Sequence, residues 1–233
     1  MAIECWVPVV VISILAGIDR TAAASTLVSR PIVCAPALGY MLGIFEPAFQ
    51  LGLMLELLWL MRLPVGAAIA PDDTQASLAA VVLVKLFAHQ LPDHHWELVI
   101  TIGVLVIVLA EVGKCCDVWA RHVNERLFLR AMHNLRIANW SGMTRNHYSG
   151  LAVFAVSALF SLTLIVAGGS AILWATLDYV DFWSALFTVR EEWVRAVFPL
   201  VGVAAVLVVL RVKHTLWLFA AGYALTYTAL EFL

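Results

Sequence analysis

The chain has 233 residues, of which 63% are hydrophobic and only 13% are charged, and its mean hydropathy is +0.95. Soluble domains contain roughly 45–50% apolar and about 25% charged residues, so a water-soluble protein of this length could not hide so much apolar surface. Disorder is excluded because there is ample apolar area to bury, and a net charge of −2 gives no bulk attraction to nucleic acid. The composition predicts an integral membrane protein.

The first apolar segment covers residues 3–18, and the alanines at 22–24 imitate a signal-peptide cleavage site. A secretory signal needs a positively charged start. Here the only early charge is Glu4, and Asp19 and Arg20 interrupt the approach to the supposed cleavage site. We therefore predict a retained membrane segment.

Between Arg30 and Leu91 the apolar sequence is repeatedly interrupted by prolines, glycines and charges. About 20 apolar residues are needed for a helix to cross a ~30 Å hydrocarbon core, and uncharged pieces such as residues 74–84 are too short. Unpaired backbone groups cannot face lipid, and short interrupted segments are typical of transporter substrate sites built from half-helices. We predict broken or re-entrant half-helices, with ordinary kinked helices as the alternative.

The second half contains four longer uncharged runs that are typical of spanning helices, at residues 98–110, 146–177, 196–210 and 214–230. The prediction is an all-α polytopic integral membrane protein with several spanning helices. We divide this single membrane unit into three regions. They are residues 1–95 with the discontinuous helices and the candidate site, residues 96–148 with a spanning helix and a basic segment, and residues 149–233 with the C-terminal membrane helices.

The basic segment, residues 114–147, holds six of the 14 Lys and Arg and only two acids, so the positive-inside rule places it on the cytoplasmic side. Lys114, Asp117, Arg121 and Glu125 recur at spacings of three and four and predict one charged helix face. Beyond Glu125 the polar positions rotate, which predicts that the helix turns its face or breaks. Such a helix most often lies against its own protein or the membrane surface; a docking face for a cytosolic partner is the less frequent interpretation.

Three acids stand inside or beside apolar runs in the N-terminal half. A charge at a membrane helix centre costs ~2.5–3.5 kcal/mol, so such groups normally face the interior and serve a function. Glu56 lies within residues 51–60, and Asp72 and Asp73 follow Pro71. A proline at the first helical position with acids in the first turn is typical of a helix start. Asp72 and Asp73 therefore either cap a helix or offer carboxylates to hydroxyl groups.

Neutral hydrogen-bonding side chains stand near these acids. Thr74 and Gln75 follow directly, and His89 and Gln90 close the next apolar segment. Amides and carboxylates bind the vicinal hydroxyls of sugars, although lone histidines are more often structural than ligands. The pattern therefore allows a sugar site in this half of the chain.

Signatures of catalysis are weak. The Asp93-His94-His95 triplet resembles a metal-ligand cluster, but adjacent histidines on a helix point in different directions. There is no Gly-x-Ser-x-Gly, His-Glu-x-x-His or Walker motif. We expect no metal, no cofactor and no catalytic residues of the chain's own.

Five short motifs resemble the IIC subunit of the mannose/fructose/sorbose family of sugar phosphotransferase systems. They are Ser29-Arg30-Pro31, Leu42-Gly43, Leu55-Glu56, Gly66-Ala67-Ala68-Ile69-Ala70-Pro71-Asp72 and Ala88-His89-Gln90. Their order and spacing match over roughly residues 19–90, about a third of the chain, and beyond this the likeness is one of hydropathy and length.

The resemblance implies a multi-pass permease subunit of the bacterial cytoplasmic (inner) membrane that binds and translocates a hexose but is not itself phosphorylated. It implies a IID membrane subunit, cytosolic IIA and IIB phosphocarrier proteins, and an assembly of several IIC–IID pairs. The polar lining of the sugar path that it implies is Glu56, Asp72, His89 and Gln90, to which proximity adds Asp73, Thr74 and Gln75.

Two other functions stay open from the residues alone. The chain could keep this fold as a regulatory or receptor subunit without transport. It could also be an unrelated secondary transporter in which Glu56 or Asp72 carries protons or sodium.

Overall fold

A computed structural model describes residues 3–60, 69–90, 95–186, 200–205, 207 and 214–231. A 3-10 turn at Ile3–Cys5 leads into seven helices, and residues 200–205 are also helical. The helices are α1 (Trp6–Thr21), α2 (Pro31–Leu42), α3 (Phe45–Trp59), α4 (Asp73–Phe87), α5 (His95–Arg136), α6 (Trp140–Leu186) and α7 (Thr215–Glu231). The described ranges contain no strand, and the all-α polytopic membrane fold is confirmed.

Helices α2, α3 and α4 are short, as the interrupted sequence predicts. They have 12, 15 and 15 residues, which at 1.5 Å per residue is about 18–22 Å and less than the ~30 Å hydrocarbon core. Two of the interrupting prolines stand at helix starts, where a missing N–H costs nothing: Pro31 opens α2 and Pro47 lies in the first turn of α3. The stretch at residues 61–68, which includes Pro64, lies outside the described residues.

Helix α4 forms the centre of the bundle. Its residues from Thr74 to Val84 are all buried, and it packs against each of the helices from α1 to α3 and against α5 and α6. A helix that is apolar on every side is stable only when other elements surround it. Because α4 is too short to span a bilayer, burial at its N-terminal end keeps the backbone groups there away from lipid.

Two described helices are long and apolar enough to cross a membrane, with candidate spans at Trp96–Arg136 and Trp140–Thr176. They contain the uncharged runs at residues 98–110 and 146–177. The run at 214–230 is helical in α7, whereas most of the run at 196–210 lies outside the described residues. Large apolar side chains such as Val108 and Phe160 point outward from these spans, as a lipid-facing surface requires.

The predicted change beyond Glu125 does not break the helix. Helix α5 runs unbroken for 42 residues, about 63 Å, because the sequence from Lys114 to Arg136 contains no proline or glycine. Asp117 and Arg121 form the expected pair one turn apart, at 3.2 Å. The boundaries between the three regions of the sequence, at 95/96 and 148/149, remain divisions of the sequence alone. Helix α6, for example, continues through residues 148 and 149.

Candidate functional site

The N-terminus of α4 is the meeting point of the polar residues. Asp72 is the N-cap, and its Oδ1 accepts a hydrogen bond of 3.1 Å from the backbone N–H of Gln75. The capping interpretation of Asp72 is thus confirmed. The sequence predicted that Pro71 is the first helical position, and this prediction was wrong. The helix begins at Asp73, two residues after Pro71. The preceding backbone is held by a 3.1 Å bond from the Asp72 N–H to the carbonyl of Ala110 in α5.

Arg20, in the last turn of α1, binds both acids. Its Nη1 lies 3.1 Å from Asp72 Oδ1 and its Nε lies 3.1 Å from Asp73 Oδ1. Its Nη2 also donates a 2.7 Å hydrogen bond to the carbonyl of Pro71. One guanidinium thereby holds the whole turn, and the positive end of the α4 dipole compensates part of the remaining negative charge.

Asp72 also connects α4 to α6. Its Oδ2 accepts a 2.7 Å hydrogen bond from the hydroxyl of Ser161, and the Asp72 residue is 5% exposed. Gly113 of α5 makes this contact sterically feasible. A Cβ added at Gly113 would stand 2.6 Å from both Asp72 Cβ and Ser161 Oγ. Asp72 is therefore a buried structural link between α1, α4, α5 and α6.

Gln75 and Thr74 form hydrogen bonds within the chain. The Gln75 Oε1 accepts from the Ser13 hydroxyl at 2.7 Å, and its Nε2 donates to the Ser13 carbonyl at 3.1 Å. Thr74 donates from Oγ1 to the carbonyl of Ser29 at 2.9 Å. Both residues are almost fully buried, so their main effect is to hold α1 and the loop before α2 against α4.

Glu56 lies on α3 and binds Arg30. Arg30 Nε donates to Glu56 Oε1 at 2.8 Å, and its Nη2 contacts the same oxygen. Glu56 is 9% exposed, and its Oε2 has no hydrogen-bond partner among the described residues. Both Glu56 and Asp72 are thus withdrawn from bulk water, and Glu56 fixes an arginine that faces a cavity.

The charged cavity, as we name it, has a volume of about 250 Å³ and opens beside the start of α4. Its lining among the described residues consists of three carboxylates, three guanidinium groups and short polar and apolar side chains. The lining residues are Asp19, Arg20, Thr21, Ser25, Leu27, Ser29, Arg30, Ile69, Ala70, Asp73, Thr74, Asp117 and Arg121.

Each carboxylate of the charged cavity has a fixed partner. Asp73 is held by Arg20, and Asp117 by Arg121. Asp19 accepts from the Thr26 hydroxyl at 2.7 Å and from the backbone N–H of Ser29 at 3.0 Å. The described wall of the cavity presents equal numbers of positive and negative groups. Of the acids predicted from the sequence, Asp73 lines this wall, and 24% of its side chain is exposed.

His89 and Gln90 are not part of this cluster. Both are exposed and follow the C-terminus of α4, sixteen or more residues from Asp73. That separation is about 24 Å along the helix axis. The structure thus places these two predicted residues at the opposite end of α4 from the charged cavity. Among the described residues no group of three His, Cys, Asp or Glu is placed to hold a metal ion.

Sequence reasoning did not identify the partners of the predicted acids. Arg20 stood beside the first membrane segment and Arg30 stood in the Ser29-Arg30-Pro31 motif, so both carried a local signal. Ser13 and Ser161 carried none, because one small hydroxyl in an apolar helix is an ordinary residue. Their roles depend on contacts between positions 62 and 89 residues apart.

Comparison with known proteins identifies the family. The family model described as "PTS system sorbose-specific iic component" matches residues 6–232. The chain is 31% identical over 139 residues to the fructose permease IIC component of Bacillus subtilis (strain 168), covering 59% of this chain and 48% of that protein. It is 27% identical over 201 residues to the sorbose-specific EIIC component of Klebsiella pneumoniae, covering 83% of this chain and 69% of that protein. The match thus spans about half the length of the first relative.

Two solved structures share the fold. One is described as a membrane protein and has a TM-score of 0.62 at 20% identity. The other is the mannose transporter ManYZ in complex with microcin E492, with a TM-score of 0.59 at 19% identity. Each alignment covers 97% of this chain and 87% of the other chain. The chain belongs to the family of sorbose-type IIC components of phosphotransferase systems.

Proposed function

We propose that the chain is the permease subunit of a phosphoenolpyruvate-dependent sugar phosphotransferase system, and that it binds and translocates a hexose of the mannose, fructose or sorbose type. Family membership supports a sugar-specific membrane component. The partners would be a IID membrane subunit, with which it forms several IIC–IID pairs, and the cytosolic IIA and IIB phosphocarriers. The location would be the bacterial cytoplasmic membrane, crossed several times.

The observation that carries the proposal is the balanced wall of the charged cavity. Three carboxylates accept hydrogen bonds and three guanidinium groups donate them, which matches the alternating needs of vicinal hydroxyls. The part of the wall that the structure describes has no net charge, which suits a neutral ligand better than an ion. Its volume of about 250 Å³ lies below the ~300–1,000 Å³ typical of drug-sized ligands, and therefore suits a monosaccharide.

The candidate residues would act at different places. Asp73 would contact the sugar directly, while Thr74, whose hydroxyl is bonded to the carbonyl of Ser29, would position the lining beside it. Glu56, Asp72 and Gln75 would position the lining by fixing Arg30, Arg20 and α1. His89 and Gln90, at the far end of α4, would contact the sugar near the outer end of its path, because alternating access exposes opposite ends of a central site in turn.

Reconstituted transport tests the proposal. Proteoliposomes would contain the chain with its IID subunit, and phosphorylated IIB would be supplied on the IIB side. Radiolabelled D-mannose, D-fructose and L-sorbose are then offered on the opposite side. The proposal expects at least one of them to accumulate as sugar phosphate.

Other outcomes would identify the alternatives. Uptake driven by a proton or sodium gradient without a phosphoryl donor would show an ion-coupled transporter. Saturable binding without any uptake would show a receptor or regulatory subunit. Either result would contradict the proposal.

A further inference from the structure

A second cavity, of about 430 Å³, lies next to the charged cavity. Thr21, at the end of α1, lines both. On α5 the second cavity begins at Asn124, which follows Asp117 of the charged cavity by seven residues, or about 10 Å along the helix. The two cavities therefore follow one another along α5, and the second lies farther from the apolar run at residues 98–110.

The lining of this second cavity, which we name the amide cavity, differs in its chemistry. It contains two amides, an imidazole and a hydroxyl among apolar side chains, and within the described ranges none of its lining residues is Asp, Glu, Lys or Arg. The residues used below are Thr21, Asn124, Ala131, Asn146, His147 and Phe154. Such a wall offers hydrogen bonds and an aromatic surface without any formal charge.

Asn124 lines the amide cavity and carries a buried hydrogen-bond donor beside it. Its Nδ2 is buried and has no hydrogen-bond partner within the part of the chain that the structure describes. Its Oδ1 lies close to α6, since a Cβ added at Gly150 would stand 2.8 Å from that oxygen. An unpaired buried donor costs about 1–3 kcal/mol, and each such group in a native structure needs an explanation. A turn of the Asn124 side chain toward a ligand oxygen in the amide cavity would satisfy this donor.

We propose that the amide cavity is a transit site that holds the hexose after it leaves the charged cavity and before it is released or phosphorylated on the cytoplasmic side. This inference rests on the proposed function. Asn124, Asn146, His147 and Thr21 offer hydrogen bonds to the sugar hydroxyls, and Phe154 contacts the apolar face of the sugar ring.

The chemistry of the two walls sets the order of affinities. Hydrogen bonds with ionised groups are roughly twice as strong as those between neutral groups. The charged cavity therefore binds the sugar more tightly, and the amide cavity binds it more weakly. A weaker site next to a tighter one along a single path is the arrangement that release requires.

Equilibrium binding of radiolabelled D-mannose, D-fructose and L-sorbose to the chain with its IID subunit, without a phosphoryl donor, tests the inference. Two classes of site are expected in the wild type for the transported sugar. Ala131→Trp fills the amide cavity and should abolish the weaker class while the tighter class stays unchanged. Asn124→Leu removes one neutral hydrogen bond and should weaken the weaker class about 3–10-fold.

Ala152→Trp is the matched control, because Ala152 lies on α6 with an exposed side chain and lines neither cavity; both classes should persist in it. A single class of site in the wild type, or a weaker class that survives both Ala131→Trp and Asn124→Leu, would overturn the transit site and leave the proposed function standing. Absence of binding by all three sugars would overturn both.

Discussion

Asp72→Ala is expected to destabilise the protein by about 3–5 kcal/mol. Loss of the N-cap accounts for ~1 kcal/mol, and the buried Ser161 hydroxyl left without its acceptor accounts for about 1–3 kcal/mol. Arg20 loses one of three acceptors but keeps Asp73 and the carbonyl of Pro71, which adds ~1 kcal/mol. The total agrees with the ~3–5 kcal/mol measured when one partner of a buried ion pair is removed.

The assay is equilibrium unfolding in mixed detergent micelles, followed by circular dichroism. Asp72→Asn should lower the free energy of unfolding by only about half as much as Asp72→Ala does, because asparagine remains a good N-cap and can still bind Ser161. Glu125→Ala is the control, since Glu125 is exposed on α5, and it should change the free energy of unfolding by less than ~0.5 kcal/mol. An Asp72→Ala variant as stable as the control would refute the structural role of Asp72.

Three further outcomes are expected. In the same unfolding assay Gly113→Ala should lower the free energy of unfolding by ~1–3 kcal/mol, because the added Cβ overlaps Asp72 and Ser161. Gly168→Ala is the control and should not destabilise the protein, because its Cβ would meet nothing nearer than 3.7 Å. Glu56→Gln should weaken hexose binding measured without a phosphoryl donor, because it releases Arg30, and Glu56→Asp should bind the hexose better than Glu56→Gln does. Equal hexose affinity in the wild type and both variants would contradict the role of Glu56 in positioning Arg30. His89→Ala should raise the KM of coupled uptake while donor-free binding at the charged cavity stays the same.

The lengths of the N-terminal helices could be predicted because their signals are local. Proline fixes its own φ and lacks an N–H, so Pro31 and Pro47 mark helix starts without any knowledge of the fold. Of the two outcomes predicted beyond Glu125, a turned face or a break, the structure contradicts the break for a related reason. Rotation of a charged face changes which neighbours a helix meets, but it removes no backbone hydrogen bond, and the chain there contains no proline or glycine.

The candidate site could be predicted only in part. Burial of Glu56 and Asp72 followed from the cost of charges in apolar segments. Their partners could not be deduced, since Arg20 and Asp72 are 52 residues apart, and Ser161 and Asp72 are 89 apart. The distinction between Asp72, a buried link, and Asp73, a wall of the charged cavity, also needed the structure, because adjacent residues at a helix start point in different directions.

Hexose affinity of Asp73→Asn tests the central claim most directly. In donor-free equilibrium binding to the chain with its IID subunit, the variant should bind the transported sugar about 10–100-fold more weakly, because a hydrogen bond to a charged group contributes ~1.5–3 kcal/mol. Its free energy of unfolding should fall by no more than ~1 kcal/mol, since Arg20 keeps Asp72 and the carbonyl of Pro71 as acceptors. An affinity equal to that of the wild type would contradict a hexose site in the charged cavity.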